Sequence, residues 1–474
     1  MKRGVQNLIQ TTLFLSVLGI TVNAQPVIIK DVPNNSTNFV EAGDLVYFFS
    51  EGDLWRTDGT TEGTILLKNV SAVGASGFAE FKGMAFFHTS RALWRSDGTS
   101  AGTIPLISSA LTNIQLLAIT DSYLFFTALN PATGSELYRT DGTTSGTVMI
   151  KDVNPGIDSG FRRALAVVGN HFFFAGNDGV NGTEPWKTDG TAQGTVMIKD
   201  INPGAADGFG SETNPFSFVN AFSFNDRFYF TGYTEEHGLE PWVSDGTEQG
   251  THILKDIVSG QESPDRIQFV IAHNGFLYFL VFNNLTTFES GPADLWKTSG
   301  STSSTTRIQT LGAEQMDHDY HSFLVYHDKV YFFDRTNFFS DNLWVTDGTA
   351  GGTNTFFDLI TIDGSISFFD VANDYLLFTA TFEGTPTGFY RSDGTAAGTE
   401  VFTQFKSGSY LRFPRDITKV GDFVFYADHD GIADMGHAFS EEDYYHLYQS
   451  DGITSQSIRT LRGKNTVGSN NITG

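Results

Sequence analysis

The sequence predicts an all-β protein, a β-propeller of about nine four-stranded antiparallel blades with eight as the other count, and three observations carry that expectation. One phrase recurs nine times: an aromatic residue, a polar pair, Asp-Gly-Thr and, in most copies, a following Gly-Thr, as in LWRTDGTTEGT from Leu54 to Thr64. Its aromatic anchors are Trp55, Trp94, Tyr138, Trp186, Trp242, Trp296, Trp344, Tyr390 and Tyr448, at intervals of 39, 44, 48, 56, 54, 48, 46 and 58 residues. Periods of that length belong to arrays that build four strands per unit. Between copies, short β-branched and aromatic runs bounded by Gly, Asn and Asp read as hairpins, and no segment beyond the N-terminal stretch keeps a helical period over about twelve residues.

The elements follow in chain order. Lys2 and Arg3 precede an apolar stretch from Leu8 to Val22, and Val22-Asn23-Ala24 is a small-residue cleavage pattern, so residues 1–24 read as a signal peptide and the product as exported, secreted or held at the cell surface. No later run reaches the roughly 18 apolar residues a spanning helix needs, which predicts no membrane-spanning segment. Residues 25–462 then form a single repeat domain. It begins with PVIIKDVPN, Pro26 to Asn34, which matches the last strand and crossover of a unit, VMIKDVNPG at Val148 to Gly156. An orphan outer strand suggests a ring closed by both chain ends, although SIRTL, Ser457 to Leu461, competes for the same place. Residues 463–474 are a C-terminal tail or the start of a further unit.

Inside each unit four strands are legible. The first reads NFVEAG, DLVYFF, DLWRTDG and GTILLKNV; the fourth RRALAVVGN, HFFFAG, TEPWKTDG and GTVMIKDI; the seventh HSFLVYHD, KVYFF, DNLWVTDG and GTNTFFDL. An isolated unit would expose two apolar faces, whereas stacking units face to face covers them. In an antiparallel meander the first and third turns lie at one end, the second turn and the crossover at the other. The repeated Asp-Gly-Thr turns therefore share one face, and the loops of variable length, from Glu51-Gly52 to the excursion Asp428 to Tyr445, share the opposite one. Length variation on a fixed scaffold is where binding loops are found.

Composition narrows the function classes. With no Cys there is neither a disulfide framework nor a thiolate metal site, and 44 Phe and 50 Gly fit packed strands joined by tight turns. The formal charge is -25, and without the signal segment 27 basic side chains stand against 54 acidic ones, or -27. Nucleic acid and anionic lipid both select clustered Lys and Arg, so the expected partner is an extracellular glycan or protein, met by a monomer.

At the phrase L/P-W-x-[S/T]-D-G-T-x-x-G-T the chain resembles the ELWxxDGT repeat proteins of bacteria, over about residues 26 to 462. The resemblance implies a secreted or surface-exposed β-propeller and implies no activity. The acid before the aromatic is kept as Glu136, Glu184 and Glu240, becomes Asp53 and Asp294, and is replaced by Asn342, Gly388 and His446. The turn acid is kept at Asp58, Asp97, Asp141, Asp189, Asp245, Asp347, Asp393 and Asp451, but the sixth copy, LWKTSGSTSST, has Ser299. A catalytic role would not be scattered in that way.

The anchors have two readings, sugar-stacking platforms or packing between blades, and recurrence in every unit favours packing. Asp-Gly-Thr reads either as a calcium ligand or as a tight turn whose Asp accepts backbone N–H groups, and one acid per turn is too few for calcium, which takes six to eight oxygens. Two segments break the monotony. MDHDYH contributes Asp317, His318, Asp319 and His321; DHDGIADMGHAFSEEDYYH contributes Asp428, His429, Asp430, Asp434, His437, Glu441, Glu442, Asp443 and His446. A solvated acidic loop is the favoured reading of that segment; the alternative is a metal site of Asp428, Asp430, Asp434 and His437, for calcium by its acidic spacing or for zinc or manganese by its mixed ligands. Asp317, His318, His321, Glu441 and Asp443 are candidates for ligand contact. No G-x-S-x-G or H-E-x-x-H occurs, and no catalytic residue is singled out. The expected function is a non-catalytic binding or adhesion module acting through its variable loops, with a carbohydrate-active propeller hydrolase or lyase and a structural cell-surface component as alternatives.

Overall fold

The computed structural model describes residues 37–50, 52–58, 60–70, 76–108, 111–209, 221–282, 292–312, 319–337, 340–357, 369–380, 388–404, 415–420, 423–429, 444–450 and 455–462. They form an all-β repeat in which every four successive strands make one antiparallel sheet. Sheets are numbered here in chain order. The first consists of Thr37–Ala42, Leu45–Ser50, Asp53–Thr57 and Ile65–Asn69; the third of Thr112–Ile119, Leu124–Asn130, Gly134–Thr140 and Val148–Lys151; the fourth of Phe161–Val168, His171–Asn177, Thr183–Thr188 and Val196–Met197. The meander inferred from the hairpin signals is the one observed.

In the first eight sheets the second strand is a nearly unbroken apolar run because both of its faces are covered. In the fourth sheet Phe172 and Phe174 join Phe125, Leu137, Ile150 and Trp186 on one side. Phe173 and Ala175 join Ile198, Phe228, Phe230 and Trp242 on the other. Alternate residues of a strand point to opposite faces, so one five-residue run serves two cores. The anchor lies directly opposite an aromatic of the second strand, as in Phe174 against Trp186 and Phe230 against Trp242, with centroids 6.2 and 6.1 Å apart and ring planes inclined by 31° and 28°.

Where Pro replaces Leu before the anchor, at Pro185 and Pro241, the fourth strand shrinks to Val196–Met197 and His252–Ile253. Proline has no N–H to give to the outer strand. Carbonyls still serve: Ile198 N donates to Pro185 O and Leu254 N to Pro241 O, each at 2.8 Å.

The chain divides into two compact units. One holds Val32–Asp319 together with Thr346–Thr353, that is, sheets one to six and the Asp-Gly-Thr turn of the seventh. The other holds the strands of sheets seven to nine, with a core of Tyr326, Tyr331, Phe333, Leu343, Leu376, Phe378, Ala380 and Tyr390. Among the described residues no helix is long and apolar enough to cross a membrane, and the only helix among them is the 3-10 turn Thr302–Ser304.

Candidate functional site

Two ends of the sheets offer candidate surfaces, and their chemistry differs. At one end each Asp-Gly-Thr phrase closes into a self-contained knot. In the fourth sheet Asp189 Oδ1 accepts Thr191 N at 2.8 Å and Thr191 Oγ1 at 2.7 Å, and Thr191 Oγ1 accepts Gly194 N at 2.9 Å. Beneath it, Gly190 N donates to Thr188 Oγ1, Thr188 pairs with Thr195 Oγ1 at 2.7 Å, and Thr195 donates to Thr191 O. The same set recurs around Asp97, Asp141, Asp245 and Asp347. Hydrogen bonds from the Thr hydroxyl, then from the Thr N–H, hold the Asp97 carboxyl below its usual range; the Thr247 hydroxyl leads for Asp245 in the same direction. The carboxylate is thus occupied by its own turn, a geometry that leaves it a structural group.

The glycine four residues after Asp-Gly is set by the carboxylate itself. A Cβ on Gly194, Gly102, Gly146, Gly250 or Gly352 would overlap the Asp side chain of its own turn. The sixth copy supports this by exchange. Ser299 replaces the Asp, Ser304 stands where the Gly would be, and Ser304 Oγ accepts Ser301 N at 3.1 Å, the bond the carboxylate accepts elsewhere.

At the opposite end, second turns and crossovers lie against each other, as the meander requires. Asn177 N donates to Gly160 O at 2.9 Å, and Ser135 N to Ser159 Oγ at 3.0 Å. This loop face carries the most exposed large apolar side chains among the described residues, Ile157 at 77% and Val180 at 67%. The turn bearing Val180 is rigidly tied: Asn177 Oδ1 accepts Gly179 N at 2.8 Å, and Asp178 Oδ1 accepts Val180 N and Asn181 N at 2.9 and 2.8 Å.

The crossover bearing Ile157 is fastened at both ends by one side chain. Glu136, fully buried in the third strand of the third sheet, accepts Val153 N at 3.2 Å and Gly160 N at 2.6 Å. Glu184 accepts Ile201 N at 2.8 Å, and Glu240 accepts Ile257 N and Val258 N at 2.9 and 3.1 Å; both are also fully buried. A Cβ on Gly160 or Gly208 would collide with Glu136 or Glu184, which explains the Gly-Phe that ends these crossovers. Burial pushes Glu136 up to about 7, Glu184 to about 8 and Glu240 to about 7, against the pull of the N–H donors, with Asp152, Asp200 and Asp256 adding to the rise. Residue type alone does not disclose the burial of these acids; the sequence signal that accompanies it is an Asp sixteen residues after each Glu, in the Lys-Asp at or just beyond the end of the fourth strand.

The residues singled out from sequence fall as follows. Trp186, Trp242, Tyr138 and Tyr390 are buried between strands, and Trp55, Trp94, Trp296 and Trp344 are partly so. Tyr448 lies in the strand Tyr444–Ser450, Asp428 in Phe423–His429 and His321 in Asp319–Tyr326. Asp317, His318, Asp430, Asp434, His437, Glu441, Asp443 and Asp451 lie outside the described residues. Among the described residues no three His, Asp or Glu side chains are gathered to hold a metal ion.

No family model and no curated protein matches the chain. Solved structures similar to it include the computationally designed Ika8 protein, at 10% identity over 76% of this chain and 94% of that one, TM-score 0.39. They also include puromycin hydrolase, at 10% identity over 76% of this chain and 55% of that one, TM-score 0.34. A third is prolyl oligopeptidase B from Galerina marginata, at 12% identity over 77% of this chain and 52% of that one, TM-score 0.36. The chain spans about half the length of the two enzymes, and likeness at this level says nothing of its activity.

Proposed function

We propose that this chain is an exported, non-catalytic binding module of the ELWxxDGT kind, a nine-bladed propeller that engages an extracellular protein through its loop face. The observation that supports this best is the pair Ile157 and Val180, exposed at 77% and 67% on loops held by the hydrogen bonds of Glu136 and Asp178. Two aliphatic side chains held in water on tied backbone have the character of contact residues, since little further backbone ordering is needed on binding. A protein is favoured over a glycan because sugar platforms are aromatic, and none of the large hydrophobics exposed among the described residues is aromatic. The ninth-unit loop, Asp428 to Tyr445, is the second candidate contact on sequence grounds.

The test is a screen of residues 25–474 against arrays of extracellular proteins and glycans, repeated with an Ile157→Asp/Val180→Asp variant. The expected result is a protein ligand whose affinity falls at least about tenfold in the variant, with an unchanged melting midpoint. Equal affinity in the two proteins would exclude this surface. Turnover of a polysaccharide would instead favour the enzyme reading.

A further inference from the structure

Asp-Gly and Asn-Gly pairs make many of the turns, and hydrogen bonds hold most of them so that side chain and glycine nitrogen are kept apart. Gly142 N donates to Thr140 Oγ1 and Gly190 N to Thr188 Oγ1, while Asp141 and Asp189 accept from the Thr beyond. Gly179 N donates to Asn177 Oδ1 and Gly208 N to Thr183 O. Of the two Asn-Gly pairs in the sequence, Asn181-Gly182 is tied as well: Asn181 Nδ2 donates to Asp178 Oδ2 and its backbone N to Asp178 Oδ1, each at 2.8 Å, and Gly182 is buried. Asn274-Gly275 is the exception among the described residues. It forms the two-residue turn between Arg266–His273 and Phe276–Phe282, the first hairpin of the sixth sheet, with φ of +48° and +75°, and Asn-Gly is the pair such a turn selects. Both residues are exposed, the Asn274 side-chain amide makes no hydrogen bond among the described residues, and nothing lies within 4 Å of where a Cβ on Gly275 would be.

We propose that Asn274 is a site of spontaneous modification, where the folded chain acquires an isoaspartate that loosens the sixth sheet from the turn carrying Gly348. Asparagine is thermolabile because the backbone nitrogen that follows it can attack its side-chain carbonyl carbon. Gly275 N loses its proton and bonds to Asn274 Cγ, the Cγ–Nδ2 bond breaks, and ammonia leaves with that proton. Water then opens the five-membered ring at either carbonyl, giving aspartate or isoaspartate and one new negative charge. Glycine at 275 has no side chain to obstruct the approach. Isoaspartate carries the backbone through the side-chain carbon, and so lengthens a turn whose length fixes the register of the hairpin. The next residue, Phe276, has Lys297 Nζ 4.6 Å from its ring centroid, and that ammonium donates to Gly348 O at 2.7 Å. Displacing Phe276 therefore removes one support of this tie between sheets.

The experiment ages folded residues 25–474 at about 37 °C and about pH 8 in heavy-oxygen water, then digests them with trypsin in ordinary water, so that only reaction in the folded protein takes up the label. Fragmentation mass spectrometry of peptides 267–297 and 164–187 reads Asn274 and Asn181 separately. Label uptake at Asn274 is expected to exceed that at Asn181 at least about tenfold, since the hydrogen bonds of Asn181 must break before it can react. Equal uptake at the two, or none at Asn274, would overturn the proposal. For the consequence, the isoaspartate form is compared with Asn274→Asp, which has the new charge on an ordinary backbone. The isoaspartate form is expected to melt a few degrees below Asn274→Asp, with faster amide exchange at residues 346–353. Equal midpoints and equal exchange would overturn the loosening.

Discussion

The Asp-Gly-Thr phrase is a case in which one side chain dictates the identity of another five positions away. Asp189 occupies the space a Cβ at residue 194 would need, and the natural Ser299 and Ser304 show the alternative solution. Replacing Gly194 by Ser alone should destabilise by about 2 kcal/mol, through crowding of a turn with little room to move. Replacing Asp189 by Ser alone should cost about 1 kcal/mol, for two lost turn hydrogen bonds. The double variant should recover most of the loss, so that urea midpoints show a coupling of about 1–2 kcal/mol between the sites. Additive losses would mean that the sixth copy is folded by something other than this exchange. The anchors follow a different logic. The indole N–H groups of Trp55, Trp94, Trp186, Trp242, Trp296 and Trp344 are buried without a protein partner, and Tyr138 and Tyr390 fill the same place, so the ring is retained for packing.

Adjacent sheets are joined by more than apolar contact. The Asp-Gly glycines take positive φ, +90° at Gly190 and +84° at Gly246, and each rests on an aromatic of the preceding sheet, Tyr123 and Phe173. A cation of one sheet reaches a turn carbonyl of the next, as in Arg95 to Gly142, Lys199 to Thr251 at 2.8 Å and Lys297 to Gly348 at 2.7 Å. Carbonyls at a turn have lone pairs to spare, and a charged donor makes the stronger kind of hydrogen bond. Lys199→Met keeps an unbranched apolar stem and removes the ammonium, which also lies 5.9 Å from the centroid of the Trp242 ring. It should cost about 1.5–2 kcal/mol in denaturant unfolding; no loss would show that the bond is offset by desolvation of the ammonium.

In the unit that holds the first six sheets, the packing of each sheet on its sequence neighbours makes the array nearly one-dimensional, with stability close to a sum of sheet and interface contributions. Over that sum lies the self-repulsion of a net charge of -25. Raising ionic strength from about 0.02 M to about 0.3 M should raise the melting midpoint by a few degrees, because the Debye length contracts to well under the spacing of many surface carboxylates. A falling midpoint would mean that surface ion pairs outweigh the repulsion.

The strands, their grouping in fours and the turn phrase were legible in the sequence because they rest on local physics: alternation, β-branched and aromatic runs, and a turn whose hydrogen bonds close within about eight residues. The opposite placement of the turns and the variable loops followed from the meander alone. The sequence did not disclose that Glu136, Glu184 and Glu240 are fully buried, or that Gly160 and Gly208 exist to admit a carboxylate, since those contacts join residues sixteen to twenty-four positions apart across a crossover. Nor could it tell that Ile157 and Val180 stand out in water rather than inside a core, because an aliphatic residue in a loop reads the same either way until its neighbours are in place. Local pattern determined the repeat; burial and charge balance, which depend on what packs around each group, were decided by the tertiary structure.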